Sequence, residues 1–126
     1  MPPEPRRLRG RSNQAGGLAA EAAAAAALEA DGWAVLGRRL RTPAGEIDLV
    51  AQRDGLLVIV EVKRRARLAD AALALGPRQR ARLIAAAEIL LAANPAWGPA
   101  GVRFDVLLVD AAGTVRRIVD AFRLEA

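Results

Sequence analysis

Residues 45–63 constrain this chain more than any other stretch. Two apolar runs rich in β-formers, 47–51 and 56–60, flank the dipeptide Asp54-Gly55. Asp-Gly between such runs is a strong signal for a two-residue hairpin turn. A turn centred there makes Arg53 face Leu56, and opposed residue numbers then sum to about 109 by hairpin arithmetic. Extended along both strands, that register sets Asp48 across from Glu61 and Glu46 across from Lys63. Side chains alternate faces along a strand, so Glu46 shares a face with Asp48, and Glu61 with Lys63.

Counting from a hydrogen-bonded 53–56 pair, the 48–61 pair is non-hydrogen-bonded, with Cα atoms about 4.5 Å apart. Two carboxylates so opposed repel each other. A divalent cation between them removes the conflict, because Mg²⁺ is held by one or two carboxylates together with substrate phosphate. The plain alternative is a hairpin with a wet polar face and an ordinary Glu46–Lys63 cross-strand pair.

Composition narrows the chemistry. The chain has no cysteine and no histidine, so thiol catalysis, disulfides, Cys- or His-ligated metals and a histidine base are excluded. Carboxylates remain as the good metal ligands. Of the nineteen lysine and arginine residues, Lys63 is the only lysine. Arginine serves phosphate contacts equally well, so a compact ammonium beside the acidic pair points modestly to chemistry. The net charge of +5 fits a polyanionic partner. No stretch is long and apolar enough to span a bilayer. The basic start lacks the apolar core of a secretory signal, so a cytoplasmic location without membrane association is expected.

In chain order, residues 1–15 read as a flexible basic arm and 16–126 as one domain. An alanine-rich helix follows Gly16-Gly17, with Gly32 as its C′ residue. Glu21 lies early in that helix, either as a dipole-compatible surface group or as a residue reaching the site. Strands are expected over 33–40, 46–52, 56–63, 102–109 and 114–119, and a helix from Pro77 to about residue 93. The unbroken apolar run 56–60 suits a central strand covered on both faces. Arg38, Arg39, Arg41, Arg64, Arg65 and Arg67 form a basic rim around the acidic motif. Arg78, Arg80 and Arg82 crowd a helix N-terminus, where a bound anion would relieve their conflict with the dipole. Trp97 reads as a core plug or a stacking surface. The expected architecture is α/β, a mixed central sheet of about five strands flanked by helices.

The pattern Gly45-Glu46-Ile47-Asp48-Leu49 followed by Val60-Glu61-Val62-Lys63, with Arg103-Phe104-Asp105 and Ala121-Phe122 further on, resembles the YraN family of bacterial proteins. That family is similar to restriction-endonuclease-like nucleases, in particular to archaeal Holliday-junction resolvases. The resemblance implies a restriction-endonuclease-like core. It implies that Asp48, Glu61 and the Val62 carbonyl ligate Mg²⁺ or Mn²⁺, and that Lys63 positions or activates water. It also implies that Glu21 completes the site through water and that Glu46 belongs to the motif. The chain departs from the pattern at Arg39, where relatives usually carry asparagine, and at Gln79, where they often carry lysine.

The function expected is a metal-dependent endonuclease hydrolysing phosphodiester bonds in DNA. Branched or otherwise structured DNA would be selected by shape, since no base-reading motif is visible. The rival readings are a nucleic-acid-binding protein on the same fold with little or no catalysis, and a protein-interaction module. Symmetric junctions would require two sites and hence a homodimer, with Leu73, Leu75 or Trp97 as candidate apolar contacts.

Overall fold

The computed structural model describes residues 3–65 and 75–122. The elements run α1 (Pro3–Ala30), β1 (Ala34–Thr42), β2 (Gly45–Arg53), β3 (Leu56–Arg64), α2 (Pro77–Ala93), β4 (Gly101–Val109) and β5 (Val115–Phe122). The five strands form one sheet in the order β1-β2-β3-β4-β5. The β3–β4 pair is parallel and the other three pairs are antiparallel. A parallel neighbour needs a crossover, and α2 lies within it. This is the mixed, helix-flanked sheet expected, and it is consistent with a restriction-endonuclease-like core.

The hairpin forms as the dipeptide dictates. Asp54 and Gly55 have φ of 52° and 78°, the two positive values of a type I′ turn. The ladder keeps the predicted register from Arg53–Leu56 to Leu49–Val60. Strand β3 is buried on both faces. Val58 and Val60 join one core cluster with Ala20, Ala24, Ala25 and Leu28 of α1. Leu57 and Ile59 join another with Leu83, Ala86 and Ala87 of α2. Each fully buried leucine or valine contributes about 1.5–3 kcal/mol. Alanine at the helix contacts lets both helix axes lie close to the sheet. Trp97 packs against the α2-side core, which favours the plug over the stacking surface. Leu75 is buried, so it does not supply the apolar interface considered for a dimer; Leu73 lies outside the described residues.

Helix α1 ends as expected. Gly32, with φ of 84°, donates to the Glu29 carbonyl, and Trp33 N–H donates to the Leu28 carbonyl. These are the two bonds of a Schellman cap. The other end differs from the sequence reading. Helical backbone extends to Pro3, through Gly10 and Gly16-Gly17, so α1 begins well before the helix expected after Gly17. Glycine costs a helix roughly 1 kcal/mol against alanine, and the Arg, Gln, Ala and Leu residues around these glycines are good helix formers. Strand β5 runs to Phe122, past the expected end at residue 119.

At the end of the sheet where α1 terminates, Trp33 is buried under three guanidinium groups. Arg53, Arg117 and Arg103 lie 4.6, 4.9 and 5.5 Å from its ring centroid. The fully buried carboxylate of Asp105 pairs with Arg103 at 2.9 Å and with Arg117 at 2.8 Å. Arg103-Phe104-Asp105, one of the motifs behind the family resemblance, therefore builds a structural network against Trp33, with Asp105 on β4 beside Val60 of β3.

Candidate metal centre

The acidic motif sits where the β2–β3 ladder stops. Its last rung is Leu49–Val60, so the expected facing pairs 48–61 and 46–63 are not rungs. The cause is local. Leu49 packs in the α1-side core, yet Ile47, two residues away, packs in the α2-side core. Strict alternation would put both on one face, so the pleat breaks at Asp48. On β1, Arg38 pairs with Leu49 and Leu40 with Ile47, and the rung between them is missing. There Arg39 has φ of 51°, in the left-handed region that most residues avoid. Both strands deform at one level. The Val62 N–H, which a continued ladder would pair with a β2 carbonyl, donates to Asp48 Oδ2 at 2.8 Å.

Asp48 thereby joins a cluster built from three elements. One carboxylate oxygen each of Glu21, Glu46 and Asp48 lie within 4.8 Å of one another. Glu21 comes from α1, one residue after the buried Ala20. Glu61 and Lys63 stand alongside, paired with each other at 3.4 Å. Val62 between them packs against the α1-side core, so alternation sets Glu61 and Lys63 toward α2. The Glu46–Lys63 ion pair of the plain alternative does not form. Lys63 pairs with Glu61 on its own strand, and Glu46 pairs with Arg39 at 3.8 Å and Arg41 at 3.6 Å.

Electrostatics tie the two groups together. Burial raises the Asp48 carboxyl above its ordinary pKa; the Val62 hydrogen bond opposes this and Glu46 adds to it. Burial also raises Glu61, reinforced by the Asp48 charge and opposed by Lys63. Glu21 is raised by burial and held back chiefly by Arg39. Crowded, partly desolvated carboxylates resist ionising together. Hard oxygen donors in this arrangement suit a small divalent cation.

The arginine rim is partly committed. Arg38 pairs with Glu29 at 3.4 Å and Arg39 with Glu21 at 3.3 Å. Arg78, Arg80 and Arg82 are exposed at the start of α2, while Arg67 lies outside the described residues. Arg64 and Arg65 line a cavity of about 490 Å³ with Ala19, Ala20, Val109 and Asp110. One contact was not read from the sequence. The stem of Arg82 lies over Gly45, where an added Cβ would meet Arg82 Cγ and Cδ at 2.9 Å. The signal was the glycine itself, directly before Glu46.

A mixed five-stranded sheet between helices, carrying a carboxylate cluster where two central strands part, defines a nuclease-like fold with a plausible metal centre. The sequence comparison agrees with that class. Residues 20–109 match the Uncharacterised protein family UPF0102, and the chain belongs to that family, as the YraN resemblance implied. It is 66% identical to a UPF0102 protein of Granulibacter bethesdensis over 94% of this chain and 75% of that protein. It is 52% identical to one of Azorhizobium caulinodans over 98% of this chain and 95% of that protein. A third, from Rhodopseudomonas palustris, is 54% identical over 86% and 80%.

Proposed function

We propose that this chain is a Mg²⁺- or Mn²⁺-dependent phosphodiester hydrolase acting on DNA. The observation that carries the reading is the placement of Asp48. Its carboxylate is fixed by the Val62 N–H at the point where the strands part. Glu21 and Glu46 lie within reach of a shared ion, and the charges of Glu61 and Lys63 couple to that of Asp48. A bound divalent ion would polarise the scissile phosphate and acidify water.

The chain's own groups supply the rest. Asp48, Glu21 and Glu46 would hold the ion, with Glu61 and the Val62 carbonyl as the further ligands implied by the family resemblance. Lys63, beside Glu61, acts as a positioned cation near the attacking water and the developing phosphorane charge. The exposed arginines of α2, with Arg64 and Arg65, grip backbone phosphates without reading bases. Selectivity then comes from DNA shape. Action on symmetric junctions would bring two copies of the chain together.

A second reading is a nucleic-acid-binding protein with little catalysis. The observation favouring it is that Glu61 is engaged by Lys63 and stands outside the tight three-carboxylate group. A cleavage panel of branched, flap and linear DNA with Mg²⁺ and Mn²⁺ separates the two. Metal-dependent cleavage by the wild type, lost in D48A and K63A while binding persists, is the expected result. Salt-sensitive binding with no cleavage of any substrate gives the second reading.

A further inference from the structure

We propose that Arg39 is a resident counter-ion of the acidic cluster. It competes with the divalent cation for Glu21 and Glu46 and, once displaced, passes to a DNA phosphate. The inference rests on the metal-centre reading above and adds a regulatory step to it.

Three observations meet at this residue. First, Arg39 holds a left-handed backbone conformation inside a strand, a strained state for a non-glycine residue. The surrounding fold keeps it there, at the level where Asp48 breaks the pleat. Second, its Nε lies 3.3 Å from Glu21 Oε2 and 3.8 Å from Glu46 Oε1, two of the three clustered carboxylates. Neither contact meets the geometry of an aligned hydrogen bond among the described residues, so charge rather than direction holds the arginine, and another cation can take its place. Third, the environment is asymmetric. The Glu21 side chain is 16% exposed and the Arg39 side chain 52%. The arginine therefore reaches the carboxylates from the solvent side, where a long flexible stem can swing away.

Charge makes the exchange consistent. Three carboxylates carry a formal −3, and one guanidinium neutralises a third of it. A divalent ion neutralises more and lies closer to every oxygen. Displaced, Arg39 sits between Arg38 and Arg41 on the rim. Metal loading then adds one phosphate-binding cation to the DNA-facing surface, so the protein grips DNA more strongly once the ion is present.

The test compares the full-length wild type with R39N and R39K. Asparagine tolerates the left-handed conformation better than arginine, so R39N removes the charge without added backbone strain. R39K keeps the charge. Mn²⁺ binding to the metal-free proteins is measured by titration calorimetry, with circular dichroism to verify folding. R39N should bind Mn²⁺ about tenfold more tightly, the order expected for removing one nearby cation, and R39K should stay near the wild type. DNA binding is then measured across salt concentrations, with Ca²⁺ present or absent. The slope of log affinity against log salt should steepen by about 0.9 on adding Ca²⁺ for the wild type, one extra phosphate contact, and stay constant for R39N. Equal Mn²⁺ affinities in wild type and R39N overturn the inference and leave the metal centre standing. Tightening in R39K as large as in R39N also overturns it. Failure of both folded proteins to take up Mn²⁺ overturns the metal centre itself, and the inference with it.

Discussion

Asp48 accepts a hydrogen bond from the Val62 N–H at 2.8 Å, just beyond Leu49–Val60, the last rung of the β2–β3 ladder. A side chain thus replaces a main-chain acceptor at the boundary between a closed sheet and an open acidic site. The bond does two jobs at once. It satisfies a partly buried donor, and it fixes one carboxylate of the cluster in space.

These jobs are separable by substitution. D48A leaves the Val62 donor without its acceptor, which costs about 1–3 kcal/mol. D48N keeps an oxygen in place and removes the charge. Without metal at neutral pH, D48N is expected to be about 1 kcal/mol more stable than D48A in urea denaturation. Both variants should lose Mn²⁺ binding. Equal stabilities would mean that the Val62 bond contributes nothing to folding.

The raised carboxyls predict an unusual pH dependence for the metal-free protein. Glu21, Asp48 and Glu61 all have pKa values above their ordinary range in the folded state. Folding therefore favours their protonated forms. Their contribution is fully present below the unfolded pKa values and is lost as pH rises through the higher folded ones. In chelator, the melting temperature of the wild type should fall relative to that of E21Q/D48N/E61Q as pH rises from the ordinary carboxylate range. Divalent ion binds the folded state and should reverse the fall above that window. Parallel melting curves for the two proteins at every pH would refute the shifts.

The Asp105 network should behave as a structural unit independent of the acidic site. Its carboxylate is fully buried between Arg103 and Arg117, and those guanidiniums stack around Trp33. Removing one member of a buried ionic group costs about 3–5 kcal/mol, because it strands the remaining charges. D105A should lose stability of that order in urea, with D105N intermediate. Mn²⁺ affinity of the folded fraction should match the wild type. A loss below about 1 kcal/mol would place Asp105 in the range of surface pairs.

The hairpin was legible in the sequence because its determinants are local. Asp54-Gly55 sets a two-residue turn, and that turn sets the register as far as Leu49–Val60. Beyond that rung the extrapolation to 48–61 and 46–63 failed. The break coincides with a left-handed conformation at Arg39 on the neighbouring strand, and nothing in the residue type announces it. Glu46 and Asp48 were readable as one face from their spacing. Glu21 was left open, since only the packing of α1 on the sheet decides whether an early helical glutamate reaches β2. The arginines misled in part. Read as one basic rim, they divide in the structure into exposed groups such as Arg80 and Arg82, and groups already paired with acids, such as Arg38 and Arg39. Partners distant in sequence decide that division.

Gly45 and Arg82 supply the last prediction. Gly45 has φ of 145°, and its missing Cβ leaves room for the Arg82 stem, which would otherwise meet it at 2.9 Å. Arg82 is also one of the charges that lower the Glu61 pKa, so this contact aims a helix cation at the acidic end of β3. G45A introduces both backbone strain and a clash. It should cost about 1–3 kcal/mol, and by pushing the guanidinium outward it should raise the Glu61 pKa further. In the double variant G45A/R82A the clash is gone and the strain remains. The two substitutions should therefore couple by about 0.5–3 kcal/mol in a urea-denaturation cycle. NMR titration of the Glu61 carboxyl should give the same upward shift in R82A and in G45A/R82A. Strict additivity of the two stability changes would show that the glycine serves only the backbone turn into β2, and that Arg82 is placed by α2 alone.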